Sequence, residues 1–390
     1  MDLKAEQLPK RDFAAHHNTF CVRKFEFTGE LRLKILKKML FILLSLFNIV
    51  SICSCTSALL KFDVDTPAQT LTYAGAPPID DQRPRFREIF CELINQSSEA
   101  QQRRIKCEDY LWRLNDEKQG DKLSQPLPMH DANLRIILVT GAFAECFPKM
   151  GRPYEDAAVR LEKLGYRIDT IVVSGRSSSS HNAAMIAKTI NGWEPGTNER
   201  LILLGYSKGA TDILHFLVDY PEIAKKVTVV LSVAGVINGT PLADKFAGTY
   251  ARWFKETPRK ECEPGDGGVL ESLKRSSQFP WMAVNPLPQN VQYYSVVAFT
   301  HRENVQPGLL LTYDLLRSTD PRNDGQVIFY DQVIPGSSLL GYINLDHWAI
   351  AVPIKEKMAS AAWAAASTHP HVRALLFEAM ILFSVEKLSF

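Results

Sequence analysis

The sequence predicts an α/β fold, a mostly parallel central sheet with helices on both faces. Three observations predict it. Short unbroken runs of Val, Ile and Leu recur between Leu134 and Ile343, stretches with apolar residues at helical spacing separate them, and a glycine-flanked serine stands where one run gives way to the next helical stretch. At 390 residues, 46% hydrophobic and 23% charged, the chain holds enough apolar material for a sizeable core and is not disordered. The 22 prolines and 21 glycines show no Gly-X-Y period, and no repeat of fixed length is visible, which removes collagen, solenoids and propellers.

The first element is expected to be an address rather than core. Residues 1–54 hold nine Lys/Arg against five Asp/Glu, and the rest of the chain is faintly acidic, with 36 basic and 38 acidic residues. Nucleic-acid binding depends on clustered cations and is excluded on that balance. Residues 1–38 are a cytoplasmic or over-long start. From Met39 to Leu60 the chain runs without a charge behind Lys34, Lys37 and Lys38, the pattern of an export signal whose apolar region covers 39–54, with a retained spanning helix as the alternative. Ile52-Cys53-Ser54-Cys55 resembles a bacterial lipobox, which implies lipidation at Cys55. The body is then expected outside the cytoplasm, in a bacterial periplasm or envelope, attached to the membrane through its N-terminal segment.

Beyond Cys55 there remain Cys91, Cys107, Cys146 and Cys262, an even number in a compartment that permits disulfides. The favoured pairing is Cys91 with Cys107, close in sequence, and Cys146 with Cys262 as a long clip, against four free thiols. No cysteine or histidine spacing suggests a metal site, so no metal is expected. Residues 55–132 read as an exported, partly helical extension without chemistry of its own, helical in pattern at Phe86 to Ile94 and again at Cys107 to Leu114.

The main body, 133–390, alternates strand and helix. Strands are expected at Arg135 to Thr140, Arg167 to Ser174, Leu201 to Leu204, Val227 to Val233, Val291 to Ala298 and Ser338 to Ile343. Helices are expected at Tyr154 to Gly165, Asn182 to Ile190, Lys208 to Tyr220 and Val372 to Val385. Regularity lapses at about 241–289, which is read as a cap insertion carrying Phe246, Tyr250, Trp253, Phe254, Phe279, Trp281 and Met282. These either line an acyl pocket or form the cap's own core and seam. Ser177 to Ser180 reads as a helix cap and loop.

Gly205-Tyr206-Ser207-Lys208-Gly209 lies between an apolar strand and an amphipathic helix. A strained turn in that context presents Ser207 at the sheet's C-terminal edge, and side chains at either glycine would collide with neighbouring chain. The geometry of such a turn also aims the N–H of Lys208 at a developing oxyanion. The Lys208 side chain is read as either drawing in anionic substrates or facing solvent.

On this pentapeptide, on Asn238-Gly-Thr-Pro-Leu-Ala-Asp244 and on Asn323-Asp324-Gly325, the chain resembles the α/β-hydrolase superfamily, in its bacterial lipase and esterase branch, over approximately residues 133–386. The resemblance implies a catalytic order of Ser, acid, His. His347, after the last strand, lies where the family places its base, with His301 as rival. Asp324, followed by Gly325 and Val327, matches the family's acid, with Asp320 and Asp331 behind it. Thr140-Gly141-Ala142-Phe143 occupies the family's second oxyanion loop, which makes Ala142, or else Phe143, the second donor. The implied activity is hydrolysis of carboxylic, acyl or lipid-like esters through an acyl-enzyme, with no cofactor. The alternatives are an acyltransferase with the same triad and a non-catalytic envelope lipoprotein that uses the fold as a binding module.

Overall fold

The computed structural model describes residues 76–114, 117–118, 129–131, 133–147, 152–193, 199–245, 248, 263–354 and 370–388. The signal region 39–54, the lipidation candidate Cys55, Cys262 and the aromatic residues Phe246, Tyr250, Trp253 and Phe254 lie outside them. Among the described residues no helix is long and apolar enough to cross a membrane.

Eight strands form one sheet: β1 (Asp80–Asp81), β2 (Leu111–Trp112), β3 (Leu134–Val139), β4 (Arg167–Ile171), β5 (Arg200–Tyr206), β6 (Val227–Val233), β7 (Gln292–Ala298) and β8 (Ser338–Ile343). Their order is β1-β8-β7-β6-β5-β3-β4, all parallel, and β2 pairs antiparallel with β8. The central strands are apolar on both faces because both are covered. Ile136, Leu138, Ile202 and Leu204 point into one cluster, with helices α1 (Arg83–Gln96), α2 (Glu155–Lys163) and the C-terminal helix Pro370–Leu388. The alternating Ile137, Val139, Leu201 and Leu203 point into the other, with α3 (Ser179–Asn191) and α4 (Lys208–Asp219). At the free edge, β4 carries Arg167 and Asp169, and Asp169 accepts a 2.7 Å bond from Arg135 of its neighbour. Charge on an edge strand discourages pairing with other chains.

Strands and helices of the main body form where the sequence expects them, within a few residues at their ends. The exception precedes it. Cys107–Asp109 is a 3₁₀ turn and Leu111–Trp112 a strand, not the expected helix, because Leu111 and Trp112 find a pairing edge on β8 opposite Ile343 and Tyr342. The Cys91–Cys107 disulfide ties this turn to α1. Cys146 is also disulfide-bonded, and its expected partner Cys262 lies outside the described residues.

Between β6 and β7 the described chain forms the short helices Pro241–Lys245 and Val269–Leu273, followed by α5 (Arg275–Val284). Met282 and Trp281 pack into the core cluster beneath α3 and α4, so these two positions of the insertion form a seam with the main body. Asp266 accepts from the N–H and hydroxyl of Ser178, and Ser178 in turn caps α3 by accepting from the N–H of His181. The serine run is thus a helix cap and a docking point for the insertion.

The chain passes from β3 to β4 on one side and to β5 on the other. Such a reversal, here at the carboxyl ends of β3 and β5, is where open α/β sheets bind ligands.

Candidate active site

Ser207 follows β5 directly and holds φ 56° and ψ −130°, a positive-φ conformation that a non-glycine residue adopts only when its surroundings impose it. Its N–H donates to the Val233 carbonyl, and its own carbonyl accepts from Ala210 and Val236. The flanking glycines are required by contact: a Cβ on Gly205 would lie 2.4 Å from the Ala210 Cα, and one on Gly209 2.5 Å from the Val139 carbonyl oxygen. The turn leaves Ser207 half-buried at the head of α4.

The Oγ of Ser207 lies 2.9 Å from His347 Nε2, and His347 Nδ1 lies 2.7 Å from Asp324 Oδ2. A carboxylate can only accept, so the proton between Asp324 and His347 sits on Nδ1. Nε2 is then left as the acceptor for the serine hydroxyl. Asp324 and His347 are both buried, and the main-chain N–H of His347 donates to the Asp324 carbonyl at 2.8 Å.

Asn323-Asp324-Gly325 is both a turn and a carboxylate mount. Asn323 makes the turn by accepting from the Gly325 N–H, and Gly325 sits at φ 95°, where a side chain would be strained. Asp324 Oδ1 accepts from the N–H groups of Gln326 and Val327 at 2.8 and 2.7 Å, which frees Oδ2 for the imidazole. Gln332, buried beside it, is anchored through both amide atoms to the main chain of Ala298 and approaches Asp324 Oδ2 at 3.4 Å. No spacing in the sequence marks Gln332, because its partners lie on other elements.

The rival residues stand elsewhere. His301 lies edge-on against Trp112, Asp320 is paired with Arg322, and Asp331 is paired with Arg275. Asp346 does not share the imidazole: it accepts from the N–H groups of Gln306, Trp348 and Ala349 and shapes the turn around His347.

Gly141 brings the chain after β3 onto Ser207, since a Cβ there would lie 2.9 Å from the Ser207 Cβ and 3.4 Å from its Oγ. Next to it, Phe143 sits at φ 61° and spends its N–H on the Gly175 carbonyl. The N–H of Ala142 has no hydrogen-bond partner among the described residues. The Lys208 side chain neither faces solvent nor awaits an anion. It is fully buried and donates to Asp212 at 2.6 Å, one helical turn on, and Asp212 also accepts from Asn182. A buried ammonium needs such a partner. Burial pushes the Asp212 carboxyl up, and Lys208 beside it acts in the opposite direction.

A group of cysteine and acid side chains close enough for a metal, Cys91, Cys107 and Glu108, lies away from this site and is occupied by the disulfide.

No family model and no curated protein matches the chain. Solved structures do. A metagenomic carboxyl esterase, MGS0156, is 35% identical with a TM-score of 0.73, over 83% of this chain and 97% of that one. The mature Bacillus licheniformis lipase BlEst2 is 19% identical (TM-score 0.46, 60% and 92% covered), and EstA from Clostridium botulinum 14% (TM-score 0.44, 74% and 98%). At 35% identity to MGS0156 across nearly that enzyme's whole length, the chain belongs to the carboxyl esterases of the α/β-hydrolase fold.

Proposed function

We propose that this esterase cleaves carboxylic esters by a Ser207, His347, Asp324 triad through an acyl-enzyme. The observation that carries the reading is the continuous hydrogen-bond path from Ser207 Oγ through His347 to Asp324, at 2.9 and 2.7 Å. His347 Nε2 takes the serine proton as Oγ attacks the ester carbonyl carbon, and Asp324 stabilises the imidazolium so formed. The carbonyl oxygen gains charge as it becomes tetrahedral, and the N–H groups of Lys208 and Ala142 are assigned to receive it. Collapse expels the alcohol, which takes the proton from His347. Water, deprotonated by the same base, then attacks the acyl-enzyme and releases the acid.

An apolar acyl chain is the substrate group that suits the surroundings. Val236, Val327, Ala243 and Leu273 form a cluster onto which the partly exposed Ala142, Phe143 and Leu270 pack, beside the oxyanion loop. We also propose that the enzyme acts outside the cytoplasm. The Cys91–Cys107 bond and the oxidised Cys146 support an oxidising compartment, in keeping with the export pattern of residues 39–54. A binding module without catalysis would require Ser207 to lack a base within reach, and nothing in the site favours that reading.

Covalent labelling with a fluorophosphonate, mapped by peptide mass, tests the mechanism. Modification of Ser207 alone, abolished in Ser207→Ala and in His347→Ala, is the expected result. A folded protein left unlabelled, or labelled equally in both variants, would remove the triad.

A further inference from the structure

A base that serves Ser207 has to be held to a few tenths of an ångström, and His347 arrives on a separate loop after β8. Both of its main-chain polar groups are used to hold it. The N–H donates to the Asp324 carbonyl at 2.8 Å. The carbonyl accepts from the Tyr206 hydroxyl at 2.5 Å. Tyr206 is the residue immediately before the nucleophile, and its ring also lies against the imidazole, with centroids 5.2 Å apart and planes tilted by 36°. The side chain is buried on the face of β5 that holds the Ile202 and Leu204 side chains, while the strained turn at Ser207 leaves its Oγ beside His347 and Gly141.

We propose that Tyr206 is a positioning residue for the base: its phenol ties the His347 main chain to the strand end that carries Ser207, so that nucleophile and base move together. This rests on the triad reading above and adds a residue to it that touches neither substrate nor the reacting atoms. The chemistry suits a fixed strut. A tyrosine has two side-chain torsions and a rigid ring, and a buried hydroxyl and a buried carbonyl each need the partner that the other supplies. Burial, with the negative charges of Asp324 and Asp346 nearby, pushes the phenol well above its usual range, so it keeps the proton that it donates. Without the hydroxyl, the main chain of His347 itself keeps only its bond to the Asp324 carbonyl, and the imidazole is free to drift from Oγ. A displacement of about 1 Å at such a distance costs on the order of a hundredfold in rate.

The test compares Tyr206→Phe with Tyr293→Phe, Ser207→Ala and His347→Ala on a short-chain p-nitrophenyl ester. Tyr293 donates its hydroxyl to the Pro288 carbonyl at the start of β7 and serves as a control for the loss of one tyrosine hydrogen bond. Tyr206→Phe is expected to lower kcat by about tenfold or more with KM within about twofold, to move the acid limb of the pH–rate profile, and to shift the low-field proton resonance of His347 Nδ1. Tyr293→Phe is expected to do none of these. A Tyr206→Phe enzyme with parental kcat and an unmoved resonance, beside inactive Ser207→Ala and His347→Ala, would overturn the positioning role and leave the triad standing. Full activity in Ser207→Ala or His347→Ala would overturn both. A loss in Tyr206→Phe matched by Tyr293→Phe would reduce the effect to general stability and overturn it as well.

Discussion

Gly141 has no side chain, and that lets the chain after β3 rest against the nucleophile. A methyl group there would lie 2.9 Å from the Ser207 Cβ and 3.1 Å from the Tyr206 carbonyl oxygen, both parts of a turn that cannot yield. Gly141→Ala is expected to push the Ala142 N–H away from the oxyanion and lower kcat by about a hundredfold, the effect of losing one preorganised donor. The circular dichroism spectrum should stay near parental even where the thermal midpoint falls, and a folded Gly141→Ala enzyme with parental kcat would remove Ala142 from the oxyanion site. The serine is legible by a local rule, its strand-to-helix turn, whereas Asp324 in Asn-Asp-Gly and His347 after the last strand are singled out only by the resemblance to a known family. What is not legible depends on distant contacts. The middle position of Gly-Tyr-Ser carries no sign that its hydroxyl reaches His347, 141 positions away. The pairing of Lys208 had a local signal, an aspartate four residues on, which the i, i+4 rule applied to α4 finds, whereas its burial depends on distant contacts.

At the scale of elements, the turn from Asp346 to Val352 shows how one buried carboxylate shapes the segment that carries the base. Asp346 accepts from Trp348 and Ala349 within the turn and from Gln306 across it. Burial pushes its carboxyl from 3.8 up to about 6, and the charge of Asp324 adds to the rise. A folded-state value above the unfolded one means that the folded protein holds the extra proton between about pH 4 and pH 6. This group's contribution to stability is then most favourable below about pH 4 and falls as pH rises through that window, by up to about 3 kcal/mol for two units. The amide introduced by Asp346→Asn cannot ionise and still offers an oxygen to Trp348 and Ala349. That substitution is therefore expected to flatten the stability slope between pH 4.5 and pH 7 in urea titrations, and parallel slopes for parent and variant would refute the assignment. Asp331, also raised by burial, to about 7, contributes to both proteins and cancels in the difference. The strands and helices around this turn are legible in the sequence because each is long, periodic and bounded by Gly, Pro or Ser. Cys107 to Leu114 misleads because so short an apolar stretch fits helix and strand alike, and only the open edge of β8 decides between them.

For the whole molecule, residues 76–114 share the sheet and the core of the main body rather than simply preceding it. β1 and β2 both pair with β8, and the main chain of Tyr110 and Asp109 accepts from Asn344, three residues before the base. Phe86, Ile89, Phe90, Leu93, Ile94 and Leu111 are buried in the same cluster as the C-terminal helix and the central strands. Burying each such side chain is worth about 1.5–3 kcal/mol, so removing six, about 9–18 kcal/mol in all, is comparable to the whole of the roughly 5–15 kcal/mol by which a typical domain is stable. It would also leave the outer edge of β8 unpaired, a template for aggregation. A chain beginning at residue 133 is therefore expected to be insoluble or unfolded and inactive, although it holds every proposed catalytic residue. Replacing Cys91 and Cys107 by alanine removes only the cross-link across 16 residues and is expected to cost about 3 kcal/mol while the folded enzyme keeps parental kcat. Expression of the two forms side by side, with circular dichroism, urea titration and ester turnover, separates the cases. A soluble, active 133–390 fragment would show that the sheet closes, and that the His347 loop holds its place, without β1 and β2.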